Sequence, residues 1–110
     1  MDLTYEEKIS RVNPDDFFSL FLLLGLEPRW VTSAGKKAIQ ILGKCHNGSN
    51  HSALFDPTTL KANCFSLCGC GYYLHTFVYK VLNLFSPHDA KDFIEDWLDK
   101  NKISLNVNAF

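Results

Sequence analysis

The sequence predicts an α+β fold: a small antiparallel β-sheet held at one end by a metal site, with helices before and after it. Three observations predict this. Soft metal donors fall in two clumps, "CHNGSNH" at 45–51 and "CFSLCGC" at 64–70, among short apolar runs and turn residues. Before the clumps, apolar residues recur at helical spacing behind capping signals, and after Gly71 the helical period returns. The 110 residues, 46% of them hydrophobic, suffice for one modest core. The whole chain, 1–110, therefore reads as one domain. It divides into N-terminal helices over 1–27, the metal-bound sheet over 37–72, C-terminal helices over 73–100 and a tail over 101–110.

The elements follow in order. Thr4 and Glu7 make a capping box, with Ile9 and Val12 on the apolar side of a short first helix. "NPDD" restarts a helix: Asn13 caps it, Pro14 fills the first turn, and Asp15 and Asp16 meet the positive end of the dipole. Phe17, Leu20, Phe21 and Leu24 form its stripe, and Gly25 stops it. Phe18, Leu22 and Leu23 lie off that stripe, so this helix is either buried on two sides or offers a patch to a partner. Residues 26–36, "LEPRWVTSAGK", read as loop. "AIQIL" at 38–42 and "SALFD" at 52–56 suit short strands, and the turn chemistry of "DPTTLK" makes 52–65 a hairpin. Leu74, Phe77, Val78, Val81, Leu82 and Phe85 then fall on one helical face. Ser86 to Asp89 caps a last helix with Ala90, Phe93, Ile94, Trp97 and Leu98 on its core side. The tail "ISLNVNAF" alternates like an edge strand or a docking arm.

The longest apolar stretch, "FFSLFLLLGL", is about half the length of a membrane span. Acidic rather than basic residues precede it, so no signal peptide is expected and the chain is expected to be soluble and cytoplasmic. In a reducing compartment four cysteines read as metal ligands rather than disulfides. A structural zinc needs four donors converging as a tetrahedron, which pairs on tight turns supply. Cys64 and Cys68 form one such pair beside Gly69 and Gly71. Cys45 supplies the third donor. The fourth is open between His51, which a loop through Gly48 can fold back, His46, which as a neighbour of Cys45 points away from it, and Cys70. His75 and His88 fall on helices away from the clumps. A catalytic zinc needs an acid–base partner, and Asp56, in a turn, is the one acidic residue of 28–70; the zinc is expected to be structural and the protein no enzyme.

The formal charge of −1 hides an uneven distribution: residues 1–27 sum to −4, residues 28–70 to +4 and the remainder to −1. The basic excess lies on the segment with the cysteines, as phosphate binding would require.

The ordered string "LFDPTTLKANCFSLCGCGYYLHTFVYKVL" resembles the zinc-ribbon domain, of the Cys-His-Cys-Cys type, of bacterial and phage replicative DNA primases. Asp56-Pro57, Cys64-Phe65, Cys68-Gly69, Gly71 and Phe77-Val78 match that family's hairpin, knuckle and helix in order. Two departures stand out: Leu67 lengthens the turn between the knuckle cysteines, and the first pair is shortened, so that the family's histidine aligns with His46. The chain is also expected to lack the catalytic domain that follows the ribbon in such primases. The resemblance thus implies a zinc-binding accessory subunit of a phage, plasmid or mobile element. It would engage single-stranded DNA template and help a separate polymerase, primase or helicase begin a primer. Lys36, Lys37, Lys44 and Lys61 are the candidate phosphate contacts, with Phe55 and Phe65 for stacking and Trp30 and Tyr72 behind them. Phe55 stands open between stacking and core; Phe65, beside a ligand, is assigned to the core. The alternative is a zinc-stapled protein–protein adaptor that docks through "FFSLFLLLGL" or the tail without touching DNA.

Overall fold

The computed structural model describes residues 3–44, 50–65, 69, 71–101 and 103. The described elements are α1 (Tyr5–Ser10), α2 (Pro14–Leu23), β1 (Arg29–Ser33), β2 (Lys36–Ile41), β3 (Ala53–Asp56), β4 (Lys61–Cys64), β5 (Gly71–Tyr73), α3 (Leu74–Leu82) and α4 (Pro87–Lys100). The five strands pair antiparallel in sequence order, and the helices flank them at both ends of the chain. The fold class is α+β, as the helical and alternating periods predict.

Local chemistry explains most of the boundaries. Thr4 and Glu7 cap α1 reciprocally, as a capping box does. Asn13 occupies the N-cap of α2, but its side chain makes no capping bond. At the other end Gly25 takes φ +73°, and Gly25 N and Leu26 N donate to Leu22 O and Phe21 O, both at 3.0 Å. That is a complete Schellman motif, and it turns the buried Leu26 back under the helix. Asn83, at φ 54°, ends α3 in the same left-handed conformation. Helix α3 therefore stops before Phe85, which is fully exposed instead of continuing the apolar face. Ser86 Oγ accepts from Asp89 N to start α4.

One face of the sheet is the floor of the core. Burial alternates along β3 and β4, placing Ala53, Phe55, Ala62 and Cys64 inward with Ile39 and Ile41 of β2. The helices cover that face with Ile9, Phe17, Leu20, Phe21, Phe77, Ile94 and Leu98 in one cluster. The ring of Phe55 sits 5.1 Å from both Phe17 and Phe21.

Residues 26–36 depart from the expected loop. Arg29–Ser33 is a strand, paired in register with β2 through Ser33↔Lys36 and closed by Ala34-Gly35. Both turn residues have positive φ, 52° and 79°, as a two-residue type I′ hairpin loop demands. Alanine is a poor residue for that conformation. Ala34→Asn is expected to raise stability by about 0.5–1 kcal/mol, read as a higher urea midpoint at unchanged slope.

Candidate nucleic-acid interface

Strand order decides where the two cysteine clumps leave the sheet. In this antiparallel meander the end of β2, the start of β3, the end of β4 and the start of β5 share one end. The connections over 42–52 and 65–70, which carry all the candidate ligands except Cys64, therefore leave from that same end. Their bases are tied: Gly43 N donates to Asn50 O at 3.0 Å, and Phe65 N to Ser52 O at 2.8 Å.

Of the predicted ligands, Cys45, His46, Cys68 and Cys70 lie outside the described residues. His51 and Cys64 are described. Cys64 closes β4 at 1% exposure, opposite Ala53. His51 is half-buried, with Nε2 2.9 Å from Glu27 O. A ring nitrogen facing a carbonyl must carry a proton, so in the neutral ring the lone pair falls on Nδ1, which is the usual arrangement of a metal-bound histidine with an outer partner. Among the described residues no three His, Cys, Asp or Glu side chains group to hold a metal ion.

The sheet's second face lies away from the core. Arg29, Lys36, Gln40, Leu54, Lys61, Asn63 and Tyr73 occupy it by strand parity, exposed or half-buried. Arg29 Nε donates to Gln40 Oε1 at 2.7 Å across β1 and β2, and Lys61 Nζ lies 5.0 Å over the ring of its cross-strand partner Tyr73. A shallow depression of about 280 Å³ opens here, lined by Lys36, Lys37, Leu54, Asn63 and Phe65 among others. Gly71 stands opposite Asn63, and a Cβ added to it would collide with the Asn63 side-chain oxygen. The missing side chain lets the Asn63 amide lie across the sheet.

Among the described residues three of the four helical lysines pair with carboxylates, the exception being Lys80, which lies over the Tyr72 ring. Lys8, Lys91 and Lys100 each meet a carboxylate, Glu95, Glu6 and Asp96. Lys36, Lys37, Lys44 and Lys61 have no such partner among the described residues. Lys36, Lys37 and Lys61 are exposed, whereas Lys44 is half-buried at the base of the first cysteine connection. A larger cleft, about 740 Å³, sets Trp30, Lys36 and Lys37 against Asp15 and Asp16 of α2. Its two carboxylates suit a polyanion less well than the open sheet face, where the described lining of the depression holds one, Asp56.

The aromatic assignments need correcting. Phe55 has 0% exposure in the core and offers no surface to a base. Phe65 is 71% exposed rather than buried, because it follows the inward Cys64 and so points the other way. Tyr72 is half-buried, Tyr73 exposed, and Trp30 stacks on Phe18 at 5.7 Å. No helix among the described residues is long and apolar enough to cross a membrane. Comparison with family models, with curated proteins and with solved structures found no match for the chain.

Proposed function

We propose that this chain is a primase-type zinc-ribbon accessory protein that holds single-stranded DNA on its open sheet face beside a separate polymerase, primase or helicase. The observation that carries the proposal is the contrast between the two faces. One is sealed by the helices; the other gathers Arg29, Lys36 and Lys61 with the exposed rings of Phe65 and Tyr73. Backbone charge plus sequence-tolerant stacking is the physics of single-strand binding. Zinc on Cys45, His51, Cys64 and Cys68 would pin the two connections that leave one sheet end. The Nε2 contact of His51, which leaves Nδ1 as its donor atom, and the burial of Cys64 fit that donor set. The ion would cross-link the sheet end and supply no reaction chemistry.

A Lys36→Glu/Lys61→Glu variant tests the interface. Its affinity for a single-stranded oligonucleotide should fall about tenfold or more at moderate salt. The slope of log affinity against log salt should flatten by roughly 1.4, two contacts' worth. Unchanged affinity and slope in a fluorescence-anisotropy titration would refute it.

The adaptor reading has its own observation. Leu22 and Leu23 are exposed on α2, and Leu23 borders a shallow groove with Phe93 and Trp97 of α4. A chain that ignores oligonucleotides yet copurifies with a polymerase or helicase, and loses it on Leu22→Ser/Leu23→Ser, would favour that reading.

A further inference from the structure

At the end of the sheet opposite the cysteine connections, Lys61 and Tyr73 pair across β4 and β5. Beside them a small cavity of about 160 Å³ opens between α1, the β3–β4 turn and the start of α3. Ile9, Leu60 and Leu74 give it apolar walls. The rings around it are ordered: Tyr73 and His75 lie parallel within 4° at 6.1 Å, and Tyr5 meets His75 edge-on at 5.5 Å. Tyr73 is 59% exposed, so its ring is a lip of the cavity rather than part of the core.

We propose that this cavity receives one unstacked nucleobase of the bound strand, stacked on Tyr73, with Lys61 at the adjoining phosphate. The occupant is taken from the DNA-binding function proposed above; the cavity itself is a separate feature. Size limits the ligand to a single heterocycle, since pockets for drug-sized molecules begin at about 300 Å³. Aromatic walls suit a base face, which stacks whatever its sequence. Lys61 lies 5.0 Å over the Tyr73 ring with no carboxylate partner among the described residues; a base that stacks on this ring takes the place of the ammonium, and the long side chain swings to the adjoining phosphate. Glu6 is the carboxylate among the described lining residues, held by Lys91 at 3.0 Å. As an acceptor it favours a base with an exocyclic amino group, such as cytosine, over thymine. Desolvation, then the Lys91 charge, lowers the pKa of His75 although Glu6 opposes them. The imidazole therefore stays neutral near pH 7 and adds no charge to an apolar wall.

Two measurements on the full chain test the proposal. In the first, deoxycytidine monophosphate is titrated while the aromatic resonances of Tyr73 and His75 are followed by NMR. They should shift, and shift less with thymidine monophosphate. In the second, Tyr73→Ala should weaken binding of a cytosine-rich oligonucleotide about five- to a hundredfold. The salt slope should stay unchanged, because no phosphate contact is lost, and Tyr73→Phe should restore affinity to within about twofold. Salt-dependent strand binding that survives Tyr73→Ala, with no shift at Tyr73 or His75, overturns the pocket and leaves the strand-binding function standing. Failure of the wild-type chain to bind any oligonucleotide overturns that function, and the mononucleotide shifts then decide the pocket alone.

Discussion

Phe55→Ala is expected to lower folding stability by about 3–5 kcal/mol, a large share of the roughly 5–15 kcal/mol that natural domains possess. The ring has 0% exposure and lies 5.1 Å from Phe17 and from Phe21, so it joins the sheet to α2. Its surroundings make the loss hard to repair. Phe55 pairs across the sheet with Ala62, and the next inward pair is Ala53 with Cys64. These small side chains cannot swing into the space a phenyl ring vacates, so most of the cavity persists. Denaturant unfolding checks the figure. A surface aromatic would behave differently: its removal would weaken nucleic-acid binding and cost less than about 0.5 kcal/mol of stability. A Phe55→Ala chain of wild-type stability would contradict the burial described above.

Helices α1, α2 and α4 were legible in the sequence because two independent signals coincide in each, whereas α3 had its period alone and ends before the stripe does. Thr4 with Glu7, Pro14, Gly25 and Ser86 mark ends, while a 3.6-residue period marks the buried face. The β3–β4 hairpin was legible from turn residues: Asp56 Oδ1 accepts from Thr58 N at 2.8 Å, as an Asx-turn does. Strand β1 was not, for two physical reasons. Its residues are exposed on both faces apart from half-buried Val31, so no alternation betrays it. Its turn is Ala-Gly, without the Asn or Asp that usually signals a type I′ loop.

The exchange of roles between Phe55 and Phe65 follows from strand parity. Residues one apart face opposite sides of a sheet, so an inward Cys64 turns Phe65 outward. Likewise Phe55 shares a face with Ala53, two residues before it. Proximity to a ligand predicted burial for Phe65; parity overrules it. The basic character of the interface was visible in the +4 of residues 28–70. Which of those charges lack partners depends on where the helix carboxylates fall, and only the tertiary fold decides that.

Cys64→Ala separates the two things a buried cysteine can do. As a small apolar residue Cys64 fills space at the floor of the sheet, and losing its sulfur should cost about 1 kcal/mol with metal content untouched. As a zinc ligand it holds one quarter of a tetrahedron, and its loss should release the ion. On the proposed function, the wild-type chain carries one zinc by elemental analysis and Cys64→Ala carries almost none. A chelator should then lower the unfolding midpoint of the wild type and leave that of the variant where it was. In zinc-finger peptides the ion supplies about 10–16 kcal/mol of apparent binding energy, and the fold vanishes without it. Global collapse is not expected here, because the helices pack on Ile39, Phe55 and Ala62 in a hydrophobic cluster whose described members include no metal ligand. The damage should concentrate at the sheet end where both cysteine connections leave. There the Phe65–Ser52 and Gly43–Asn50 hydrogen bonds should exchange their amide protons faster, while the helical circular dichroism persists. Equal zinc content in the variant and the wild type would place Cys64 in the core alone and remove it from the metal site.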